Sequence, residues 1–141
     1  DPAVALAAMG TVRAPAGRFS IGRFGDNRAR LLLAKNPAGW AESLLVMASD
    51  PVVLAIDSAI ADGTDVSWLW DVEFERLAGR HVVCTGPRAQ DLAVRLSYAE
   101  VDHEVVDSLR EAMARPYEGT VDVLATYTAF LNLCKMGGVE W

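Results

Sequence analysis

The strongest constraint on this chain is the alternation of short, unbroken apolar runs with stretches of helical periodicity. Val52 to Ile56 is a continuous β-branched and aliphatic run, the pattern of a strand buried on both faces of a helix-covered sheet. Leu31-Leu32-Leu33-Ala34, His81-Val82-Val83-Cys84 and Val121 to Ala125 repeat the signal. After the first of these, Lys35-Asn36-Pro37 offers an Asn suited to an N-cap and a Pro suited to the first helical position. Trp40, Leu44 and Met47 then recur at helical spacing, and Asp50-Pro51 ends that helix. A second helix runs through Ala89, Leu92, Ala93 and Leu96, and a last one through Tyr127, Phe130, Leu131 and Cys134 to Gly137-Gly138. Strands alternating with such helices imply right-handed crossovers and a mostly parallel, Rossmann-like α/β sheet flanked by helices.

The remaining segments fill in that plan. Ala3 to Met9 is helix-prone and stops at Gly10, so residues 1–15 read as a lead-in helix or linker and residues 16–141 as one α/β domain. Arg18 to Ile21 and Arg28 to Ala34 flank Gly25-Asp26-Asn27, a β-hairpin that adds an antiparallel edge. Val66 to Leu77 reads as a short helix or irregular segment closed by Gly79, and Asp102 as the cap of a helix carrying Val105, Val106, Leu109 and Met113 on one face.

With 141 residues, 52% of them hydrophobic and 23% charged, the chain can bury a real core, which excludes a disordered segment or a small disulfide scaffold. A net charge of −6 argues against a surface built to neutralise nucleic-acid phosphates. Cys84 and Cys134 each lie in an apolar stretch and read as buried thiols. No window approaches the roughly 18 apolar residues that a membrane helix requires. The chain opens on Asp1-Pro2 with neither an initiator Met nor a signal-peptide pattern, as a piece of a longer protein would.

In an open α/β sheet, ligands bind beyond the carboxyl ends of the strands. Four strand ends carry the polar residues here: Lys35-Asn36; Asp57-Ser58 with Asp62-Gly63-Thr64-Asp65; Thr85-Gly86 with Arg88; and Thr126 with Thr128. Each also has a purely structural explanation. Asn36-Pro37 starts a helix, Thr85-Gly86-Pro87 ends a strand, and Arg88 with Asp91 forms an i,i+3 surface pair. Neither a Walker A loop nor a GxGxxG occurs. Asp57, Asp62, Asp65 and Asp71 crowd one segment that also holds Trp68 and Trp70, rigid apolar surface beside carboxylates that suits a site, an interface or the core. His81 and His103 lie in different segments, which disfavours a metal centre, and no Ser/His/Asp or Cys/His arrangement stands out.

Ala16-Gly17-Arg18-Phe19, followed by a strand and Ala34-Lys35-Asn36-Pro37, resembles the entry to the C-terminal domain of the Mur ligases. Lys35 stands where many of those ligases carry His, and Leu32 where they often carry Asp. The MurT-type branch is a closer match. Leu31 to Gly39, the segment Ala61-Asp62-Gly63-Thr64-Asp65-Val66-Ser67-Trp68-Leu69-Trp70-Asp71, Thr85-Gly86 with Arg88 and Asp91, and Thr126-Tyr127-Thr128-Ala129 are similar to that branch throughout.

The resemblance implies the ligase subunit of a lipid II isoglutaminyl synthase. Such an enzyme amidates the α-carboxyl of D-glutamate in the peptidoglycan stem peptide with ATP and with ammonia from a GatD-type glutaminase. It implies a cytoplasmic location at the membrane face where lipid II is made, and ATP and Mg²⁺ held mainly by an upstream central domain. In the family's Asp-Asn-Ala-Ala-Asp-like motif the final Asp falls on Asp62, while the preceding positions read Asp57-Ser58-Ala59-Ile60-Ala61. Asp62 is thus the expected catalytic carboxylate. Lys35, Asn36, Thr85 and Arg88 are expected at the substrate or nucleotide edge, and Asp65, Trp68 and Trp70 as partner-binding or site-shaping residues. The competing readings are a non-catalytic docking module for a glutaminase and a flavodoxin-like nucleotide binder, the latter disfavoured by the missing phosphate loop.

Overall fold

The computed structural model describes residues 1–11 and 19–139. The expected domain boundary at residues 15–16, and Arg18, lie outside the described residues. After helix α1 (Pro2–Thr11), the expected hairpin forms from β1 (Phe19–Phe24) and β2 (Asn27–Leu33). Its turn is one residue shorter than expected. Phe24 pairs with Asn27, leaving Gly25 and Asp26 as the turn, with Gly25 at a φ of 61°. Asn27 joins the strand because its side-chain amide donates to the carbonyls of Met113 and Arg115, at 2.8 and 2.7 Å.

Four further strands complete one sheet: β3 (Val52–Ala55), β4 (Val82–Thr85), β5 (His103–Val105) and β6 (Thr120–Ala125). Their order is β1-β2-β6-β3-β4-β5, and every pairing except β1 with β2 is parallel. This is the mostly parallel sheet with an antiparallel edge that the apolar runs predict. Alternation along the strands divides the core. Leu32, Leu54, Cys84 and Leu124 face α2 (Pro37–Val46) and α3 (Ala89–Tyr98). Leu31, Val53, Val83 and Val123 face α4 (Leu109–Ala114) and α5 (Tyr127–Met136). Every residue of β3 and β4 is buried, as strands covered on both faces must be.

Two segments needed the structure to resolve them. Val66 to Leu77 forms two 3-10 helices, Ser67–Asp71 and Phe74–Leu77, that help cover the α2 side of the sheet. The segment after Asp102 corrects the expectation: Asp102 caps no helix, and His103–Val105 is the edge strand β5. The helix begins at Leu109 behind Ser108, whose hydroxyl accepts the Glu111 N–H at 3.1 Å. Three strand residues are too few for a period of two to show itself, so Val105 and Val106 merged with the helical spacing of Leu109 and Met113. Among the described residues no helix is long and apolar enough to cross a membrane.

Candidate functional site

The carboxyl ends of β2, β6, β3 and β4 finish in step, tied by main-chain bonds just past each strand. Ala34 N–H donates to Ala125 O, Thr126 N–H to Ala55 O, and Ile56 N–H to Thr85 O, each at 3.1 Å. The polar strand-end residues therefore do share one edge. Gly86 makes the tightest approach there. Its φ is +94°, and a Cβ at this position would stand 2.5 Å from the Ile56 carbonyl oxygen, which accepts the Arg88 N–H at 3.1 Å. Only glycine meets both conditions without strain.

Asp62 lies in the loop between β3 and the first 3-10 helix, and its carboxylate reaches α5. Oδ1 accepts the Thr128 N–H at 2.8 Å, on the first turn of the helix. A carboxylate there satisfies an otherwise open amide and complements the positive end of the helix dipole. The other oxygen, Oδ2, is shielded from solvent and has no hydrogen-bond partner. Thr126, the N-cap residue of α5, makes no side-chain bond to its own helix. Its hydroxyl accepts the Asp57 N–H at 2.8 Å and faces the Asp57 carbonyl at 3.4 Å.

The other expected site residues divide by role. Asn36 spends its side chain capping α2, accepting the Gly39 N–H at 2.9 Å. Thr85 is fully buried with its hydroxyl unpaired. Lys35 is exposed, its ammonium 4.7 Å from the centroid of the Tyr127 ring. Arg88 pairs with Asp91 at 2.8 Å. Asp65 is exposed, and its carboxyl is held below the usual range chiefly by the Ser67 N–H, 2.8 Å away.

The two tryptophans part company. Trp68 packs on the core with its ring 5.5 Å from that of Trp40. Trp70 is 54% exposed, edge-on to Tyr98 at 5.2 Å and 5.6 Å from the Arg95 guanidinium. Beside it runs a groove of about 520 Å³ lined by Asp65, Leu69, Trp70, Arg88, Asp91 and Val94. Lys35, Asp62 and Arg88 thus come from three separate segments to one edge, whereas Thr85 turns inward and Trp68 belongs to the core.

A second polar cluster escaped sequence reasoning. His81 Nδ1 lies 2.7 Å from Asp102 and Nε2 2.9 Å from Glu104, which also pairs with Arg115 at 2.5 Å. Partial burial alone depresses the imidazolium, but hydrogen bonds to the two carboxylates and their charges outweigh it and raise the His81 pKa. His81 immediately precedes β4, whereas Asp102 precedes β5 and Glu104 lies on it, so no local spacing announced them. Cys84 and Cys134 are free and buried as expected, and burial pushes their thiols up to about 12 and about 11. Among the described residues no three His, Cys, Asp or Glu side chains gather as metal ligands would.

The family model that matches is MurT ligase C-terminal, over residues 33–130. The subunit MurT of lipid II isoglutaminyl synthase (glutamine-hydrolyzing) from Staphylococcus aureus is 32% identical over 130 residues, covering 84% of this chain and 30% of that protein. The subunit of the same name from Streptococcus pneumoniae is 31% identical over 137 residues, covering 88% and 31%. The chain therefore spans under a third of the length of these curated relatives. Among solved structures, the UDP-N-acetylmuramate-alanine ligase MurC from Thermotoga maritima superposes with a TM-score of 0.59 over 96% of this chain and 33% of that one. At 16% identity that likeness speaks for the fold alone.

Proposed function

The chain belongs to the MurT ligase C-terminal family, and from that premise we propose that it is the C-terminal domain of the ligase subunit of a lipid II isoglutaminyl synthase. The observation that carries the reading is Asp62. It lies within the family match, stands at the strand-end edge, and has one carboxylate oxygen fixed by the Thr128 amide and the other left without a partner.

In the proposed reaction, ATP phosphorylates the α-carboxylate of the stem-peptide D-glutamate. Ammonia released by a glutaminase subunit of the GatD type then attacks the acyl phosphate: the C–N bond forms, the C–O bond to phosphate breaks, and phosphate leaves. The nitrogen must lose a proton, and Asp62 is the acceptor through Oδ2, which is shielded from solvent in this domain and is uncovered by a shift of its loop in the assembled ligase. The carboxylate first holds the incoming nitrogen by a charge-assisted hydrogen bond. This is work done at the inner face of the membrane, in the cytoplasm, where lipid II is made.

The residues of this chain suit the outer phosphates of the nucleotide and not its metal. Lys35 and Arg88 are cations at the edge, while no set of three metal-binding side chains exists among the described residues. Mg²⁺ is accordingly assigned to the upstream domains, and no step here runs through it.

The test is amidation of lipid II by the full-length ligase with its glutaminase, followed by mass spectrometry, with Asp62→Asn against the wild type. The amide oxygen of Asn can still accept the Thr128 N–H, so the helix cap survives while the base is lost. Turnover should fall by about 10²–10⁴-fold, the usual worth of a positioned general base. Wild-type turnover would sink the assignment.

A second reading, a docking module alone, has one observation in its favour. The exposed Trp70 and Tyr98 pair borders a groove rimmed by Asp65 and Asp91. Docking alone requires that Asp62→Asn leave turnover intact while changes at Trp70 abolish glutaminase binding.

A further inference from the structure

The N-terminus of α5 is capped in a crossed manner. A Thr at the N-cap ordinarily turns its hydroxyl to the amides of its own helix. Thr126 does not, and is 4% exposed. Its hydroxyl is spent on Asp57, at the exit of the neighbouring strand β3, accepting that residue's N–H at 2.8 Å. The helix amide left open by this choice, that of Thr128, is taken by Asp62, five residues beyond Asp57 in the same loop. The loop thus caps the helix, and the helix's cap residue holds the loop. Thr126 is itself fixed, since its N–H donates to Ala55 O at 3.1 Å and its carbonyl accepts the Phe130 N–H at 2.8 Å.

We propose that Thr126 is a positioning residue for the Asp62 carboxylate, its hydroxyl setting the start of the 57–65 loop so that one oxygen of Asp62 stays on the Thr128 amide and the other stays unpaired for the reaction. This rests on the assignment of Asp62 as the proton acceptor. Within the loop, Asp57 Oδ1 accepts the Ala59 N–H at 3.0 Å, and Asp62 N–H donates to Ala59 O at 2.8 Å. These bonds make a short relay from the Thr126 hydroxyl to Asp62 through the Asp57 carboxylate and the main chain of Ala59. Loss of the hydroxyl frees the loop at one of its two anchors, and an ångström of drift at a reacting group is enough to lower a rate.

The experiment uses the full-length ligase with its glutaminase and lipid II. It compares Thr126→Val, which keeps the shape and removes the hydroxyl, with Thr126→Ser, which keeps the hydroxyl, and with Thr126→Ala as a smaller variant lacking it. Thr126→Val and Thr126→Ala should lower kcat by about 10–100-fold with KM for ATP unchanged, and Thr126→Ser should restore most of it. In an Asp62→Asn background, Thr126→Val should lower kcat no further, because the carboxylate it positions is already gone. Wild-type kcat in both hydroxyl-less variants overturns the proposal, as does an equal fall in the two backgrounds, which would mark a merely structural loss. Full activity of Asp62→Asn by itself overturns instead the reading beneath it, and the two failures are thereby told apart.

Discussion

The Asp62 carboxylate joins two demands that usually conflict. The Thr128 amide at the start of α5 holds one oxygen still, while the other is shielded from solvent and left as an unsatisfied acceptor. Strand-end placement put Asp62 at this edge and the family resemblance gave it its expected role, but its structural partner Thr128 was not legible, being 66 residues away with no local pattern to link them. Asn36 is the opposite case: its cap is three residues long, and Asn-Pro predicted it correctly. Gly86 was read only as a strand-ending residue, yet it stands where β4 and the chain leaving β3 touch. Gly86→Ala should cost about 3–5 kcal/mol, from a positive φ and a clash with main chain that has no room to yield. Chemical denaturation of the variant checks this, and a change under 1 kcal/mol, about the scale of a solvent-exposed Gly position, would contradict it.

At the scale of elements, the long-period signals read well and the short ones did not. Helices α2, α3 and α5 and the buried strands β3, β4 and β6 follow from apolar spacing, because each is long enough to show its period. Strand β5 is three residues long and only half-buried, so its side chains carry no apolar signature. What holds that edge is charge: His81 at the start of β4 bridges Asp102 and Glu104, and Arg115 closes the group from the end of α4. Both ring nitrogens face carboxylates, which only the imidazolium can satisfy with two donors.

The folded-state His81 pKa is raised, so its stabilisation is complete below the ordinary histidine value of about 6.5 and is lost as pH rises through the raised value. Glu104 shifts the other way, chiefly through its hydrogen bond to His81, and its contribution is lost only in acid as pH falls through the lowered value. Melting temperature should therefore fall from pH 6 to about pH 9 in the wild type by more than in His81→Gln. Parallel pH profiles for the two proteins would remove the clamp from the account.

At the scale of the molecule, the sheet order β1-β2-β6-β3-β4-β5 brings four chain exits to one edge and leaves the hairpin at one side and the charged clamp at the other. The existence of that edge followed from strand alternation, as parallel strands must all end on one side. Which polar groups reach it did not, since Thr85 turns inward and Asn36 serves its own helix. Trp68 and Trp70 were indistinguishable by sequence because both are apolar and two residues apart. A 3-10 turn sends one to Trp40 and the other to the surface. If the Trp70 and Tyr98 surface receives the glutaminase, replacing both by Ala in the full-length ligase should weaken that association by about tenfold or more, with ammonium-driven amidation retained. Unchanged affinity in calorimetry would move the contact elsewhere.

On the proposed function, this domain lends the full-length ligase a proton acceptor and not only a surface. Ammonium-driven amidation by full-length Asp62→Asn, needing no glutaminase, tests it most directly when the melting temperature is taken on the same sample. A rate lowered by about 10²-fold or more at an unchanged melting temperature is expected. A wild-type rate, or a loss that tracks a drop in stability, would contradict it.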